Sequence, residues 1–380
     1  MIIFLNLLAS SNGGQLTRAE EFLKRLNEFE ASFVILKDKN SFNKINIDKK
    51  HKIVSFDIGT GKFRIFKRFF VEIFCLPVLL LKYKCNFFLT FSHFLPFFIF
   101  SKSIVGVSNL APFSEIAWEE ENLLSKLRLF VLKKLIVSSC SRANLVLALS
   151  NTCKLILEKN NINNKKIFVA SNGVSEFWEI ENGKQDKLIL DNLKISKKYL
   201  LCVSHFHFYK NYKRVVYAYS NLSEKIKRNY SLILVGSLKN QACFTEVNGL
   251  IRQLNLTKNI FIIDNLPKEN LRTLYQNCSL FIFPSLIENS PNILLEAMKS
   301  KAPILSSNFY PMPEFGGNAA EYFNGLDTNE LKIKINDLVN DETKIKDLKL
   351  RSGIQSSRYS WDDFVMKIKI KIKSLNDLKS

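Results

Sequence analysis

The chain has 380 residues, of which 47% are hydrophobic and 12% aromatic. This length and apolar content exclude a single small core and a disordered chain, so two folded domains are expected. The 55 lysines and arginines against 35 acidic residues give a net charge of +20, which favours anionic partners: nucleotides, phosphorylated lipids, nucleic acid or an anionic membrane surface.

Short apolar runs alternate with helical patterns along the chain, which is typical of parallel sheets covered by helices. A first helix is expected after Gly13-Gly14, with Thr17 and Glu20 as its capping box. The strands predicted in the first half are Ile2–Ala9, Phe33–Leu36, Phe87–Phe91, Ile104–Val107, Leu145–Leu149 and Ile167–Ala170.

Between Ile180 and Lys197 the apolar density drops and charges crowd together, which predicts a linker. The second half repeats the alternation, with helices predicted at Lys268–Asn277 and Pro291–Lys299. The terminal stretch Trp361–Leu375 is predicted to be helical, although its Lys-Ile alternation also fits a strand. The strands predicted in this half are Tyr199–Val203, Leu232–Val235, Ile260–Ile263, Leu280–Phe283 and Pro303–Leu305.

Cysteine spacing and hydropathy favour a cytoplasmic protein. The seven cysteines are odd in number and form no Cys-x-x-Cys pair, so neither a disulfide framework nor a zinc cluster is indicated. The apolar run after Met1 has no basic region before it and indicates a buried strand, not a signal peptide. The most apolar segments, 69–81 and 86–100, are broken by Pro77 and Pro96, so neither predicts a membrane-spanning helix of about 20 residues.

The richest chemical pattern runs from Phe283 to Met298, where a buried strand leads into a polar turn and then a helix. Ser290 is the expected N-cap and Pro291 the first helical residue. The helix start would offer backbone N–H groups to a diphosphate or to sugar hydroxyls. Glu288 precedes the helix and Glu296 lies inside it, so two carboxylates can flank one ligand, although the spacing alone also fits two solvated glutamates.

This stretch resembles the Glu-x7-Glu signature of group 1 (family 4) glycosyltransferases, which are retaining enzymes with the GT-B fold. The strands on either side, Ser279–Ser285 and Lys301–Ser307, are also similar to those of the family. Further family landmarks follow in order, namely Asn12-Gly13-Gly14, Ser171-Asn172-Gly173-Val174, Val235-Gly236 and Tyr359-Ser360-Trp361. The resemblance extends over nearly the whole chain and is most specific from residue 199 to 323.

The resemblance implies an α/β fold class of two doubly wound, Rossmann-like domains facing across a cleft. Residues 1–180 would form the acceptor-side domain and residues 181–360 the donor domain that binds the nucleotide sugar. A C-terminal helix at about 361–380 would pack back on the first domain. Ligands of such sheets lie at the carboxyl ends of the strands, so the site is expected there.

Carried onto this sequence, the resemblance makes Glu288 the catalytic-site contact for donor-sugar hydroxyls and Glu296 the contact for the nucleotide ribose. An ionised carboxylate accepts two hydrogen bonds from a vicinal diol, which no neutral side chain can do. Groups around the sugar and diphosphate would come from Asn289, Ser290, Asn292 and Ile293.

Two further elements resemble parts of the family site. The pair Lys210-Asn211 follows a short aromatic loop, and the Lys210 ammonium can neutralise the leaving diphosphate, whereas an ordinary surface lysine is the alternative. His205 stands where many members have an arginine. Gly13 and Gly14 would let a phosphate or sugar approach the backbone.

The chain contains no Asp-x-Asp motif, so neither a metal site nor a cofactor is predicted, and Lys210 with the helix start would meet the charge of the leaving group. The implied reaction moves a sugar with retention from a UDP or GDP sugar to a glycan or lipid-linked acceptor hydroxyl, in surface polysaccharide or lipopolysaccharide assembly. Two alternatives remain: a sugar-nucleotide epimerase on the same scaffold, and a basic nucleic-acid-binding protein that lacks a recognisable binding module.

Membrane contact is expected through a basic, aromatic segment of the first domain, which would make the protein peripheral on the inner face of the membrane. A helix there would set Phe63, Phe66 and Phe70 on one side, with basic residues beside them. The alternative is that this aromatic face packs on the first domain's sheet. Three acidic residues oppose the basic ones, which are Lys44, Lys49, Lys50, Lys52, Lys62, Arg64, Lys67, Arg68, Lys82 and Lys84.

Overall fold

The chain divides into two compact units. The computed structural model describes residues 1–11, 13–61, 63–120, 122–181, 183–238 and 240–377. The first unit comprises Met1–Ser114, Glu121–Gly173 and Trp361–Ser380, and the second comprises Glu115–Glu120 and Val174–Ser360. Asn12 of the glycine landmark and Lys62 of the basic segment lie outside the described residues.

The first unit is built on a parallel sheet. Its strands are β1 (Ile2–Asn6), β2 (Ser32–Asp38), β3 (Lys52–Phe56), β4 (Phe87–Thr90), β5 (Lys102–Gly106), β6 (Leu145–Ala148) and β7 (Ile167–Val169). Within the described ranges they form one seven-stranded sheet in the order β3-β2-β1-β4-β5-β6-β7. The strands predicted in this half are confirmed. The sequence does not reveal β3, because this edge strand is short and its side chains are largely exposed.

Helices cover both faces of this sheet. They are α1 (Gly13–Lys24), α2 (Phe63–Phe70), α3 (Leu76–Lys82), α5 (Leu123–Arg142) and α6 (Asn151–Lys159), while α4 (Glu115–Glu120) groups with the second unit. A π-helical turn, Val71–Cys75, joins α2 to α3. The chain enters α1 at Gly13, whose φ of 54° suits glycine. The predicted capping box is therefore wrong, because Thr17 and Glu20 lie inside the helix, beyond its first turn.

The second unit repeats the design. Its strands are β8 (Lys198–Val203), β9 (Tyr230–Val235), β10 (Ile260–Ile263), β11 (Leu280–Phe283), β12 (Ile304–Ser307) and β13 (Ala320–Phe323). They form a six-stranded sheet in the order β10-β9-β8-β11-β12-β13, again with parallel pairing. The predicted strands are confirmed, whereas β13 is an additional edge strand of four residues with half-buried polar positions. The α/β fold class with two parallel sheets is thus confirmed.

The remaining helices are α7 (Lys184–Asn192), α8 (Tyr212–Ser220), α9 (Glu224–Asn229), α10 (Gln241–Gln253), α11 (Lys268–Asn277), α12 (Asn292–Lys299), α13 (Met312–Gly316), α14 (Thr328–Val339), α15 (Glu342–Ser356) and α16 (Trp361–Asp377). The helix predicted at Lys268–Asn277 is confirmed.

The expected linker is wrong, because α7 occupies it and Asp186 accepts a 2.6 Å hydrogen bond from the Thr273 hydroxyl. Trp178 likewise packs in the second core, 5.7 Å from the Tyr275 ring.

The terminal helix α16 completes the core of the first unit. The buried residues of α16 recur at helical spacing, so the helical prediction is confirmed. Within the Lys-Ile run, Ile368 and Ile372 are buried one turn apart, whereas Ile370 between them is exposed. The Phe364 and Phe91 rings lie 5.9 Å apart on one face of the first sheet. The residues of α16 buried in this core are Trp361, Phe364, Val365, Ile368, Ile372 and Leu375.

The aromatic face of α2 points to solvent. Phe63 and Phe66 are each 75% exposed, and Phe70 is exposed as well. The alternative in which this face packs on the sheet is therefore wrong, because the sheet-facing contacts of this segment come from Val71, Leu76 and Leu80 instead. No described helix has the length and hydropathy needed to cross a membrane.

The landmark Gly236 permits the close approach of two loops at the carboxyl edge of the second sheet. A Cβ at this position would lie 1.5 Å from the Ser204 carbonyl oxygen, which also accepts a 2.6 Å hydrogen bond from the Tyr212 hydroxyl. Because backbone atoms cannot yield easily, Gly236→Ala should lower the free energy of unfolding by about 1–3 kcal/mol or more. Chemical denaturation measures this change.

The control is Gly249→Ala in α10, where a Cβ meets nothing within 4 Å. It should stabilise the protein by about 1 kcal/mol, because alanine is the better helix former. Equal stabilities of the two variants would show that the Ser204 loop adapts without cost.

Candidate active site at the switch point of the second sheet

Two loops meet where the strand order of the second sheet reverses. β8 and β11 are adjacent, and their neighbours continue in opposite directions from them. Residues 204–211 follow β8 and residues 284–291 follow β11, both at the carboxyl ends of the strands. In open parallel sheets this reversal leaves a crevice in which ligands bind.

Backbone and amide hydrogen bonds fasten the two loops together. Asn211 adopts a left-handed conformation with φ 63°, which asparagine tolerates better than most residues. Its side-chain Nδ2 donates to the carbonyl oxygens of Pro284 at 3.1 Å and Gly325 at 2.7 Å. The Leu286 N–H donates to the Tyr209 carbonyl at 2.8 Å. The turn that ends in Lys210 is therefore held against the loop that contains Glu288.

Lys210 and Glu288 form a largely buried ion pair. The Lys210 Nζ lies 2.5 Å from Glu288 Oε1, and the two side chains are only 6% and 14% exposed. In a buried pair each charge compensates part of the desolvation of the other. The ammonium has three N–H donors, so one can serve Glu288 while others remain for an anionic ligand. The structure thus joins two predicted site residues that lie 78 positions apart in sequence.

The turn before α12 places the other predicted residues of this loop. Asn289 is buried, and Ser290, Asn292 and Ile293 are half-buried at the helix start. The predicted cap is wrong by one residue, because Pro291, with ψ 85°, is not helical and occupies the N-cap position itself. The first helical residue is Asn292. The backbone N–H groups of this first turn have no acceptor within the helix.

Glu296 is a desolvated carboxyl group within α12. Burial raises the pKa of Glu296 to about 8, against a smaller opposing influence of the Lys268 charge. Among the described residues, desolvation and the Lys268 charge are the influences on this carboxyl group, and no hydrogen bond to it is among them. The Tyr275 hydroxyl, which interacts electrostatically with Glu296, is itself buried without a hydrogen-bond partner. A ligand that donates hydroxyl hydrogens would therefore stabilise the ionised form of Glu296.

His205 adds no positive charge to the site. Desolvation of the ring by the surrounding loop, together with the nearby Lys210 and His207, lowers the pKa of His205 below its usual value and favours the neutral ring, although part of the side chain is exposed. The Tyr209 hydroxyl lies 3.4 Å from its Nε2. Where the family has a cationic arginine, this chain therefore offers a neutral ring. Among the described residues, no group of three or more His, Cys, Asp or Glu side chains is placed to hold a metal ion.

The remaining predicted residues, Gly13 and Gly14, lie in the first unit, exposed at the start of α1. The sequence did not point to Arg18 on the same helix. Its guanidinium is buried, donates to Asn172 Oδ1 and Ser108 Oγ at 2.7 Å each, and has no ion-pair partner among the described residues. Burial lowers the pKa of Arg18 to about 9. The sequence signal that could have indicated Arg18 is its position five residues after Gly13, in the helix that follows the glycine turn.

Comparisons with known proteins show which family and fold this chain resembles. Residues 186–354 match the family model described as glycosyl transferases group 1. The serotype-specific mannosyltransferase WbdA of Escherichia coli is 25% identical over 238 residues, which make up 62% of this chain and 29% of that enzyme. The O-antigen chain mannosyltransferase B of Escherichia coli is 25% identical over 185 residues, 45% of this chain and 46% of that enzyme.

A solved structure extends the likeness to the whole chain. Anabaena Alr3699/HepE, in complex with UDP and glucose, superposes with a TM-score of 0.77 over 98% of this chain and 100% of its own, at 14% identity. The matched region spans less than a third of the first mannosyltransferase and less than half of the second. The chain has the GT-B fold, and residues 186–354 of its second unit match the group 1 glycosyltransferase model, which bears out the resemblance to that family.

The raised pKa of Glu296 predicts pH-dependent nucleotide binding. Hydroxyl donors from a ribose favour the carboxylate, whereas the free protein holds Glu296 protonated below its pKa of about 8. Affinity for UDP or GDP should therefore rise with pH, by at most about tenfold per unit, up to about pH 8. The free protein changes in the opposite sense, because its raised pKa makes stability fall as pH rises from about 4.5 to about 8.

Calorimetric titration of the wild type and of Glu296→Gln with nucleotide across this pH range measures both affinities. The difference between the two proteins gives the contribution of the Glu296 carboxyl group, because the nucleotide phosphates titrate equally in both experiments. The variant should bind more weakly at high pH and should lose most of the pH dependence. The same slope in both proteins would remove Glu296 from the nucleotide site.

Proposed function

We propose that the protein is a glycosyltransferase that moves a sugar, with retention of configuration, from a UDP or GDP sugar to an acceptor hydroxyl. The observation that supports this most directly is the buried Lys210–Glu288 pair at the switch point of a group 1 glycosyltransferase domain. A cation and a carboxylate side by side suit a donor whose diphosphate and sugar hydroxyls are adjacent.

In this mechanism Lys210 and the first turn of α12 meet the negative charge that develops on the departing diphosphate. Glu288 accepts hydrogen bonds from the donor sugar while keeping the Lys210 ammonium in place. Glu296 accepts from the ribose. Groups at Asn289, Ser290, Asn292 and Ile293 surround the sugar and diphosphate, and Gly13 and Gly14 admit a phosphate or sugar to the first unit.

Departure and attack on the same face account for retention. The described site offers no enzyme nucleophile beside Glu288, and that carboxylate is already engaged by Lys210. The departing phosphate would then help to deprotonate the acceptor hydroxyl. No metal ion or cofactor enters this scheme, because the Lys210 ammonium supplies the charge that a divalent cation would otherwise provide.

The proposed setting is the assembly of a surface polysaccharide or lipopolysaccharide on a lipid-linked acceptor. The likeness to an O-antigen mannosyltransferase supports this setting. Peripheral contact with an anionic membrane through α2 and α3 would bring the enzyme to such an acceptor. This contact is supported by an apolar stripe, exposed along the segment at helical spacing, which consists of Phe63, Phe66, Phe70, Phe74, Val78 and Leu81.

Glu288→Gln tests the catalytic proposal. The amide keeps an acceptor oxygen for Lys210 but removes the negative charge, so kcat with the cognate donor should fall by about 100-fold to 1,000-fold. The free energy of unfolding should fall by about 1–3 kcal/mol, because the amide oxygen still accepts a hydrogen bond but no longer compensates the charge of the Lys210 ammonium. Steady-state kinetics and chemical denaturation measure the two quantities.

The matched control is Glu246→Gln, because the Glu246 carboxylate forms an exposed ion pair with Lys213 at 2.6 Å in the same unit. It should change stability by about 0.5 kcal/mol or less and leave kcat unaltered. Unchanged transfer in Glu288→Gln would remove Glu288 from the reaction. Isomerisation or hydrolysis of the sugar nucleotide with no acceptor requirement would favour an epimerase.

Metal independence gives a separate prediction. Since Lys210 is proposed to neutralise the diphosphate, transfer should survive EDTA with little change in rate. Lys210→Met should abolish that activity, because the leaving group then lacks its cation, and added magnesium or manganese should not restore it. Complete loss in EDTA that is reversed by either ion would contradict the proposal.

A further inference from the structure

We propose that the first half of α5, with the loop that follows β4, forms a second lipid-inserting element, whose occupant is the interface of an anionic bilayer. This inference rests on the proposed membrane setting and adds to it a surface outside the basic, aromatic segment of α2. It concerns residues that no part of the transfer mechanism uses.

The N-terminal half of α5 exposes an apolar stripe of unusual size. Leu123 is 85% exposed and Leu124 78%, and the stripe continues along the same helix face through Leu127, Phe130 and Val131. Large side chains exposed together on a helix usually mark a binding surface, whereas single exposed residues are ordinary. The buried contacts of this helix begin later, at Ile136 and Cys140.

A neighbouring loop continues the exposed surface. Phe97 and Phe98 are exposed, and Phe100 is 87% exposed. Arg142 of α5 fixes this loop, because its guanidinium donates to the carbonyl oxygens of Leu95 at 2.8 Å and Pro96 at 2.7 Å and lies over the Phe97 ring.

The α2–α3 segment lies on the same side of the first sheet. Its buried residues Leu76 and Leu80 pack in one core with Ile136 of α5 and Leu95 of the loop. These three segments therefore cover the same face of the first sheet, opposite to the face that α16 covers.

Charge identifies the occupant. The five charged side chains of α5 are all basic, namely Lys126, Arg128, Lys133, Lys134 and Arg142, and they outnumber the three glutamates that precede the helix, Glu119, Glu120 and Glu121. The loop from 94 to 103 contains no acidic residue. A two-fold contact with a second copy would oppose these like charges, whereas an anionic bilayer attracts them and accepts the apolar side chains. Long basic side chains can remain at the headgroups while leucine and phenylalanine enter the acyl boundary.

Vesicle sedimentation with the full chain tests the inference, using phosphatidylcholine vesicles with and without phosphatidylglycerol. The triple variant Leu123→Ser, Leu124→Ser and Leu127→Ser should reduce binding to anionic vesicles by at least about tenfold. The matched control Leu350→Ser with Ile354→Ser, at exposed positions of α15 in the second unit, should bind as the wild type does. Reversing the charges of Lys126 and Arg128 to Glu should weaken binding as well.

The variant Phe63→Ser, Phe66→Ser and Phe70→Ser separates the two surfaces. Loss of binding in this variant, with full binding in the α5 variant, would overturn the inference and leave the proposed membrane setting intact. Full binding of every variant, or equal binding of the wild type to neutral vesicles, would overturn it too. A lipid-free dimer that the α5 substitutions dissociate would assign the surface to a second copy. UDP affinity should be the same in all of these variants, so a failure here does not bear on the transfer reaction.

Discussion

The left-handed turn at Asn211 is the constraint on which the candidate site depends. In this conformation its amide donates hydrogen bonds to the backbone of two other loops while Lys210 points at Glu288. The positive charge of the site is therefore set by backbone geometry before any ligand arrives. A lysine that is already desolvated and oriented loses little side-chain entropy on binding an anion, which is the general advantage of a preorganised electrostatic site.

Local patterns in the sequence were sufficient for most of the fold. The buried strands and α11 have short-range signals in hydrophobic run length and helical spacing, and these do not depend on distant residues. The edge strands β3 and β13 lack that signal, since exposed strands contain polar residues like loops. The sequence of α7 indicates a linker because, among the side chains described in this helix, only Ile189 is buried and the others are half-buried or exposed.

The candidate site also combines features that the sequence predicts with features that only the structure reveals. The two glutamates and the glycine turns could be found from spacing and resemblance, but the direct contact of Lys210 with Glu288 joins loops far apart in sequence and depends on strand order. The shift of the N-cap from Ser290 to Pro291 depends on one ψ angle, which composition does not determine. The position of Arg18 after the glycine turn is a weak sequence signal, because burial of its guanidinium without a counter-ion is visible only in the structure. The exposure of α2 could not be read from its amphipathic pattern, since such a pattern fits a sheet and a bilayer equally well.

The position of α16 has a consequence for how the chain is made. The first sheet is complete in sequence by residue 169, yet one of its faces is covered by a helix that begins at Trp361. During synthesis the ribosome must therefore produce the entire second unit before the first can bury Phe22 and Phe91 against their final partners. At about 5–20 residues per second, this interval lasts at least about ten seconds, during which an apolar sheet face stays accessible to chaperones and to other nascent chains.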